Sequence, residues 1–398
     1  MPKLLILGGG YGGLAVAQRL DAVSRGRTEW EITLIDRRDF HLLQVRVHEV
    51  AANTIPVEKV SIPFKELLDG RKIKFVQASI DKILPNEKQV ETSAGTFDYD
   101  RLVVALGSET RYPPIPGLRE HAYPMKDLDD AIKFRKAVIE CFRSATDPNQ
   151  PPLKPVDERL TFIIGGGGLT GSELAGEMVD FCSDLAERAG LPQNCFRVVL
   201  LEGADHLLPT LDRQYGDYVR NELRQHGVLV ATNAMIERVE KGTVHLKGGK
   251  VVRGNIMCWA GGIQAASVLK ESGFEQLSDG RIAVDEFLRS KEYPEVYVLG
   301  DAASIKDKRT GHTVPWTAQY AERQGHYLAE NLWDEERGLK ARPYLPFSLG
   351  TAISIGRNEA LTISGPLKLT GVPGRLAKNI SYDNYEWNIR YKPRILKV

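Results

Sequence analysis

The chain has 398 residues, too many for one ordinary hydrophobic core and suited to two or three domains of usual size. Its 42% hydrophobic and 26% charged residues match an average soluble globular protein, and a net charge of +1 supplies no broad positive field for nucleic acid. No run approaches eighteen apolar residues, and the N-terminus passes straight into a short strand-like LLIL instead of a signal peptide, so a cytoplasmic protein is expected. The four cysteines, Cys141, Cys182, Cys195 and Cys258, form no C-x-x-C pair, and the eight histidines form no H-x-x-x-H pattern; buried thiols are expected, and no metal site.

In chain order, the first predicted element is the apolar run Leu4 to Leu7, of the kind a parallel strand covered on both faces requires. It stops at Gly8, Gly9 and Gly10, after which Leu14, Ala17, Gln18 and Leu20 recur at mostly helical spacing. Strand, glycine turn and helix thus follow one another, and Gly8, Gly10 and Gly13 fit G-x-G-x-x-G. The first glycine of that pattern allows a tight turn, the second admits a pyrophosphate to the backbone, and the third lets helix and strand pack closely; the open amides of the helix start then face the phosphates. The next strand, EITLID from Glu31, ends in Asp36, at about the distance where an acid accepts hydrogen bonds from ribose hydroxyls.

Further along, PPIPG (Pro113 to Gly117) and DPNQPPLKPVDE (Asp147 to Glu158) have turn and linker compositions. A near copy of the first joint follows: a strand from Leu160 to Ile164, then Gly166, Gly168 and Gly171, then a helix beginning with small residues between Ser172 and Met178. RVVLLE, from Arg197, ends in Glu202, and the longer interval before it is filled by DFCSDLAERAGLPQNC, a long helix and loop broken at Gly190 and Pro192. Glu202 can bind both ribose hydroxyls of NAD but would repel the extra phosphate of NADP, while Gly203 and Ala204 give that phosphate nothing to grip, so NADH is expected over NADPH. TVHLKGGKVVRGN, with Gly248 and Gly249 between alternating runs, reads as a hairpin. A plain NAD-linked dehydrogenase needs one such fingerprint; two point to FAD at one joint and NAD(P)H at the other. The expected fold class is α/β, with two Rossmann-like dinucleotide-binding domains and a small C-terminal element.

Four more stretches complete a pattern: FHLLQVRVHEVAA from Phe40, RLVVALGS from Arg101, VYVLGDAA from Val296 and PWTAQYAERQG from Pro315. With both joints, they resemble the flavoproteins with two dinucleotide-binding domains, and among them the type II NADH:quinone oxidoreductases, to about residue 365. The resemblance implies FAD at the first joint, held by Gly8, Gly10, Gly12, Gly13, Asp36 and Arg37, with Gln44, Ala105 and Gly107 nearby. It places Gly300 and Asp301 at the ribityl chain, and Thr317, Ala318 and Gln319 at a helix start aimed at the flavin ring, where partial positive charge would favour the reduced form. NADH would lie on Gly166, Gly168, Thr170, Gly171, Glu202 and Gly261, with Glu173 near the nicotinamide ribose. A hydride would pass from NADH to flavin N5, then two electrons to a quinone touching Gln319, Arg323 and Gln324, without proton pumping. The flavin domain would comprise Met1 to Pro116 and Glu275 to Pro343, the nicotinamide domain residues 117–274, and residues 344–398 a terminal element that leaves a peripheral membrane contact and a homodimer open.

Two departures stand out. The quinone motif of these proteins reads A-Q-x-A-x-Q-Q-G, whereas Arg323 here replaces a glutamine; it is longer, always charged and unable to accept a hydrogen bond. The C-terminal GRLAKNISYDNYEWNIRYKPRILKV interrupts its apolar positions with Asn379, Ser381, Asp383, Asn384 and Glu386, so little continuous apolar face is expected, with Arg390, Lys392, Arg394 and Lys397 as the cations available to anionic head groups; a packed terminal strand or helix is the alternative. No cysteine pair suits a disulfide reductase, and no cysteine follows Cys258 as a sulfide:quinone oxidoreductase would need. A ferredoxin, rubredoxin or dye-type reductase stays open, as does an NADH-sensing flavoprotein without turnover.

Overall fold

The structure, a computed structural model, describes residues 1–153 and 157–391. Strand β1 (Lys3–Leu7) leads through the first glycine turn into α1 (Tyr11–Ser24), followed by β2 (Glu31–Asp36), β3 (Ile73–Gln77) and β4 (Arg101–Val104). All four strands are parallel, with β2 and β3 on one side of β1 and β4 on the other. Leu4 to Leu7 are at most 2% exposed, as expected of a strand covered on both faces. Because the strand order reverses at β1, its C-terminal end is a topological switch point, where open α/β sheets form their binding crevice.

The second unit repeats this plan. After β5 (Ala122–Pro124) and α2 (Leu128–Ala145) come β6 (Thr161–Gly165), α3 (Leu169–Arg188), β7 (Arg197–Leu201), α4 (Arg213–Gln225), β8 (Val228–Ala231) and β9 (Ile256–Trp259). The sheet runs β5-β9-β6-β7-β8, all parallel, so the strand before the second glycine turn again sits at the switch point. Helix α2 starts with a reciprocal cap: Asp127 accepts from the Asp130 amide and Asp130 accepts from the Asp127 amide. That cap fixes Lys126, the residue before it. The expected hairpin forms between Thr243–Leu246 and Val251–Arg253.

Strand β10 (Val296–Val298) then returns to the first sheet beside β4, and α5 (Ala318–Glu336) lies across α1. At their crossing a Cβ on Gly325 would meet the Gly12 carbonyl, and a Cβ on Gly12 would meet the Leu299 side chain. Gly12 is therefore a packing glycine. Where the chain passes between the units, Ser108–Thr110 pairs antiparallel with Ile263–Ala265. One continuous core runs from Leu4 on β1 through Phe162 on β6 to Ile389 near the C-terminus.

The terminal element is a three-stranded antiparallel sheet, β11 (Thr351–Ile355), β12 (Glu359–Ser364) and β13 (Leu367–Leu369), followed by α6 (Gly371–Tyr391). This helix is inverted relative to an ordinary surface helix. It buries Arg375 and Lys378 and exposes Val372, Leu376, Ile380, Trp387 and Tyr391. At 3.6 residues per turn these five apolar side chains fall within an arc of about 100°. Of the polar interruptions in the sequence, Asp383 alone lies inside that arc. The expectation of little apolar face is thus corrected: Asn379, Asn384 and Glu386 flank the arc, and Ser381 lies well away from it. Arg390 is engaged by Glu66 and Glu386, while Lys392, Arg394 and Lys397 lie outside the described residues.

Candidate active site

The two glycine turns share one geometry. Gly8 (φ 95°) and Gly166 (φ 107°) hold the left-handed conformation that side chains disfavour. A Cβ on Gly13 would strike the Gly8 carbonyl, and one on Gly171 the Gly166 carbonyl, whereas a Cβ on Gly10 or Gly168 would meet nothing within 4 Å. The third glycine closes each turn and the second faces open space. Asp36 accepts from the Gly9 amide (2.7 Å) and the Arg38 amide (2.9 Å); Glu202 accepts from the Gly167 amide (2.6 Å) and the Ala204 amide (2.7 Å). Each acid is clamped to its own glycine turn. A carboxylate has about four acceptor positions, so lone pairs remain for ribose hydroxyls. Thr170 lies in the first turn of α3, and Gly261 follows β9 against the Trp259 indole.

Beyond the first turn, three distant segments form a network with Asp301, which lies in the short turn Gly300–Ala302. The Ser108 hydroxyl donates to Asp301 (2.5 Å), Lys126 Nζ donates to Ser108 (2.7 Å) and lies 3.8 Å from Asp301, and Gln44 donates to the Lys126 carbonyl (2.8 Å). Burial pulls the Lys126 ammonium below its ordinary pKa, against the opposing charge of Asp301. Arg37 pairs with Asp127 (2.9 Å), and Ala105 and Gly107 follow β4 directly into this region. Thr317 Oγ1 and Trp316 Nε1, just before α5, are buried without hydrogen-bond partners among the described residues. Buried polar atoms are normally satisfied, so these two await a group that the chain does not supply. Open glycine faces and clamped acids fit a dinucleotide at each turn, and the Asp301 network adds further polar groups beside the first.

Helix α5 presents three faces, and they redistribute the residues expected to touch the acceptor. Thr317, Ala321 and Gln324 face Gly300 and Asp301; Gln324 is 1% exposed and accepts from the Gly300 amide (2.6 Å). Gln324 is therefore a brace for the Gly300 turn, a correction to its expected place at the acceptor. Gln319 donates to the Gly350 carbonyl (2.9 Å) and accepts from the Leu349 amide (3.0 Å). Arg323 donates to the Phe347 carbonyl (2.6 Å) and lies over the Phe347 ring. Both hold down the segment 347–350. Ala318 opens the helix, and Glu322, one turn on, acts electrostatically on Tyr11 at the start of α1 and on Tyr385 of α6.

Glu173 also departs from expectation. Instead of opening toward a nicotinamide ribose, its buried carboxylate pairs with Lys378 of α6 and accepts from the Ser354 amide (3.1 Å) and hydroxyl (3.3 Å), with His48 at 3.8 Å. Burial alone would raise its pKa, but Lys378, His48 and the hydrogen bonds together hold it below the usual range. Nearby, Arg46 and Arg375 pair with Glu49, and Arg375 lies 3.5 Å from Glu177. His48, Glu49 and Glu177 are close enough to hold a metal ion, yet the two guanidiniums already supply the cations there. The cluster joins the helix of the second glycine turn to the terminal helix.

A last group carried no local signal in the sequence. His41 is fully buried, and burial pushes its pKa down to about 4, so the ring is neutral at pH 7. Because a carbonyl can only accept, His41 donates from Nδ1 to Gly9 (2.9 Å) and accepts at Nε2 from the Tyr385 hydroxyl (2.9 Å). Tyr11, the first residue of α1, packs its ring against both His41 and Tyr385. Glu322 completes the group, and its field acts on both tyrosines.

Comparison with known proteins agrees with this geometry. The sequence model of the family described as "Pyridine nucleotide-disulphide oxidoreductase" matches residues 2–325. A type II NADH:quinone oxidoreductase of Staphylococcus aureus is 30% identical over 383 residues, covering 95% of this chain and 93% of that protein. One from Staphylococcus haemolyticus is 29% identical over 388 residues, covering 95% and 93%. Among solved structures, NDH2 from Plasmodium falciparum in complex with NADH superposes with a TM-score of 0.87 over 100% of both chains at 19% identity. The sulfide:quinone oxidoreductase from Aquifex aeolicus gives 0.80 over 99% of this chain and 92% of that one at 18% identity; both structural likenesses bear on the fold. The chain belongs to the pyridine nucleotide-disulphide oxidoreductases and, within them, to the type II NADH:quinone oxidoreductase family.

Proposed function

We propose that this protein oxidises NADH and reduces a quinone, with FAD at the first glycine turn and NADH at the second. The observation that carries this reading is the duplicated clamp, Asp36 on Gly9 and Glu202 on Gly167, with the Asp301, Ser108 and Lys126 network added beside the first joint. FAD, when bound, would supply the redox chemistry, accepting a hydride and handing on two electrons. The amides opening α1 and α3 hold the two diphosphates, and Asp36 and Glu202 hold the riboses. Asp301 and Ser108 bind the ribityl hydroxyls, Lys126 adds positive charge beside them, and the open amides at the start of α5 favour negative charge on the ring. Residues 1–116 and 275–343 serve the flavin, residues 117–274 the nicotinamide, and the terminal element meets the bilayer surface.

No helix among the described residues is long and apolar enough to cross a membrane. The exposed face of α6 suits a contact parallel to the bilayer, where a lipid-soluble quinone resides, and Leu345, Phe347 and Leu349 are further exposed apolar side chains. One experiment tests both parts: steady-state turnover with a quinone carried in anionic vesicles, followed by flotation. NADH should exceed NADPH by about tenfold or more in kcat/KM, since Glu202 repels the extra phosphate. The protein should float with the vesicles, and Leu376→Glu with Ile380→Glu should abolish flotation while sparing turnover with a water-soluble quinone. Reduction of ferricyanide but of no quinone would sink the proposed acceptor, and flotation unaffected by the double substitution would sink the proposed surface.

A further inference from the structure

Reduction of a quinone by NADH consumes one proton beyond the hydride: NADH, H⁺ and quinone yield NAD⁺ and quinol. The structure must offer that proton on the acceptor side. We infer that Glu322 is the proton donor to the acceptor, seated where the start of α1, the first turns of α5 and the terminal helix α6 meet. This inference rests on the quinone reading above.

The geometry selects Glu322 over the other acids nearby. Glu173 is locked to Lys378, Asp301 accepts from Ser108, and Asp36 is clamped to its glycine turn. Glu322 has no hydrogen bond or ion pair among the described residues, and Arg323 beside it is turned away to the Phe347 carbonyl and ring. It lies one turn into α5, on the face directed neither at the Gly300 turn nor at the segment 347–350. At the crossing of α1 and α5, Gly12, the neighbour of Tyr11, lies against the Ala321 carbonyl, and Tyr11 packs on His41 and on Tyr385 of α6; the Glu322 charge acts on both tyrosines, Arg323 lies beside it in sequence, and Arg46 and Tyr382 act on Tyr11. The Tyr11 hydroxyl is buried and makes no hydrogen bond of ordinary geometry, although the Val45 carbonyl is close enough to lower its pKa. An unpaired carboxyl thus acts on a buried hydroxyl that has no hydrogen bond of ordinary geometry among the described residues, two groups able to donate to a carbonyl-bearing acceptor.

Burial raises the Glu322 pKa to about 7, with Arg323 opposing, so near neutral pH the group both holds and releases a proton. Its partial exposure lets water return the proton after each turnover. The hydride that NADH supplies by way of FAD would bring the quinone its electron pair and one hydrogen; the Glu322 O–H bond breaks as the other quinone O–H bond forms, and the carboxylate left behind is reprotonated from solvent.

The test uses flavin-loaded protein, reduced anaerobically by NADH and mixed with a soluble benzoquinone across a pH series. In the wild type the reoxidation rate should fall as pH rises through about 7. In Glu322→Gln it should be about a hundredfold lower and lose that pH dependence. Ferricyanide, which takes electrons and no proton, should reoxidise both proteins equally. Infrared difference spectra of the oxidised wild type should show a carboxylic-acid band that titrates near pH 7 and is missing in Glu322→Gln. This spectral titration decides the matter from wild type alone should the variant lose its flavin. Quinone reoxidation of Glu322→Gln at the wild-type rate and pH profile, or the absence of the titrating band, overturns the assignment. Wild-type protein reoxidised by ferricyanide but by no quinone overturns the underlying acceptor reading and the assignment with it.

Discussion

Gly171→Val should leave a yellow protein that NADH no longer bleaches, whereas Gly13→Val should leave a colourless one. In both, the added side chain meets a backbone carbonyl, Gly166 in one turn and Gly8 in the other, and a carbonyl cannot swing aside as a flexible side chain can. The helix must move off its strand, and the amides that would hold a diphosphate move with it. Overpacking such a contact costs about 1–3 kcal/mol before any ligand contact is lost. With the clamp also displaced, affinity at the altered turn should fall by about two orders of magnitude. The absorbance spectrum of each purified variant and an anaerobic NADH titration read the two effects separately. A colourless Gly171→Val beside a yellow Gly13→Val would exchange the two cofactor assignments.

Lys378→Met should be among the most destabilising substitutions at neutral pH, lowering stability by about 3–5 kcal/mol, because it leaves Glu173 charged and buried without its main partner. The pH dependence has a definite sign. The folded protein holds the Glu173 pKa below its unfolded value, so the carboxylate contributes stability above the unfolded pKa, about 4.3, and that contribution is lost as pH falls through the lower folded value. In Lys378→Met the orphaned acid prefers its proton, so the deficit should shrink as pH falls toward 5. Thermal unfolding of the wild type, Lys378→Met and Glu173→Gln/Lys378→Met from pH 5 to 8 checks this. The double variant should recover much of the lost stability. A deficit independent of pH, or no recovery, would show that Lys378 acts through packing alone.

These two predictions differ in how visible their origin was in the chain. The glycine turns were legible because their determinants are local: an apolar run, three glycines at fixed spacing, and an acid at the end of the next strand. Both sheets place those strands at the switch point, as the pattern implies. The packing role of Gly12 against Leu299 was not legible, because a sequence does not show which elements will pack on one another. Gln319, Arg323 and Gln324 lie within six residues of one another, yet α5 sends them to two different neighbours. The partners that define the chemistry are remote: Ser108 meets Asp301 across 193 positions and Lys378 meets Glu173 across 205. Helix α6 hid its character for another reason. Its apolar residues are interrupted along the chain and contiguous around the helix, and the cations that look solvent-facing are the ones it buries.

The most direct test of the whole reading is anaerobic mixing of the purified protein first with NADH and then with a short-chain quinone, followed at the visible absorbance of flavin. The expected record is a yellow protein that bleaches on NADH and regains its colour when the quinone arrives. A protein that is colourless and takes up no FAD, or whose flavin NADH does not reduce, would contradict it.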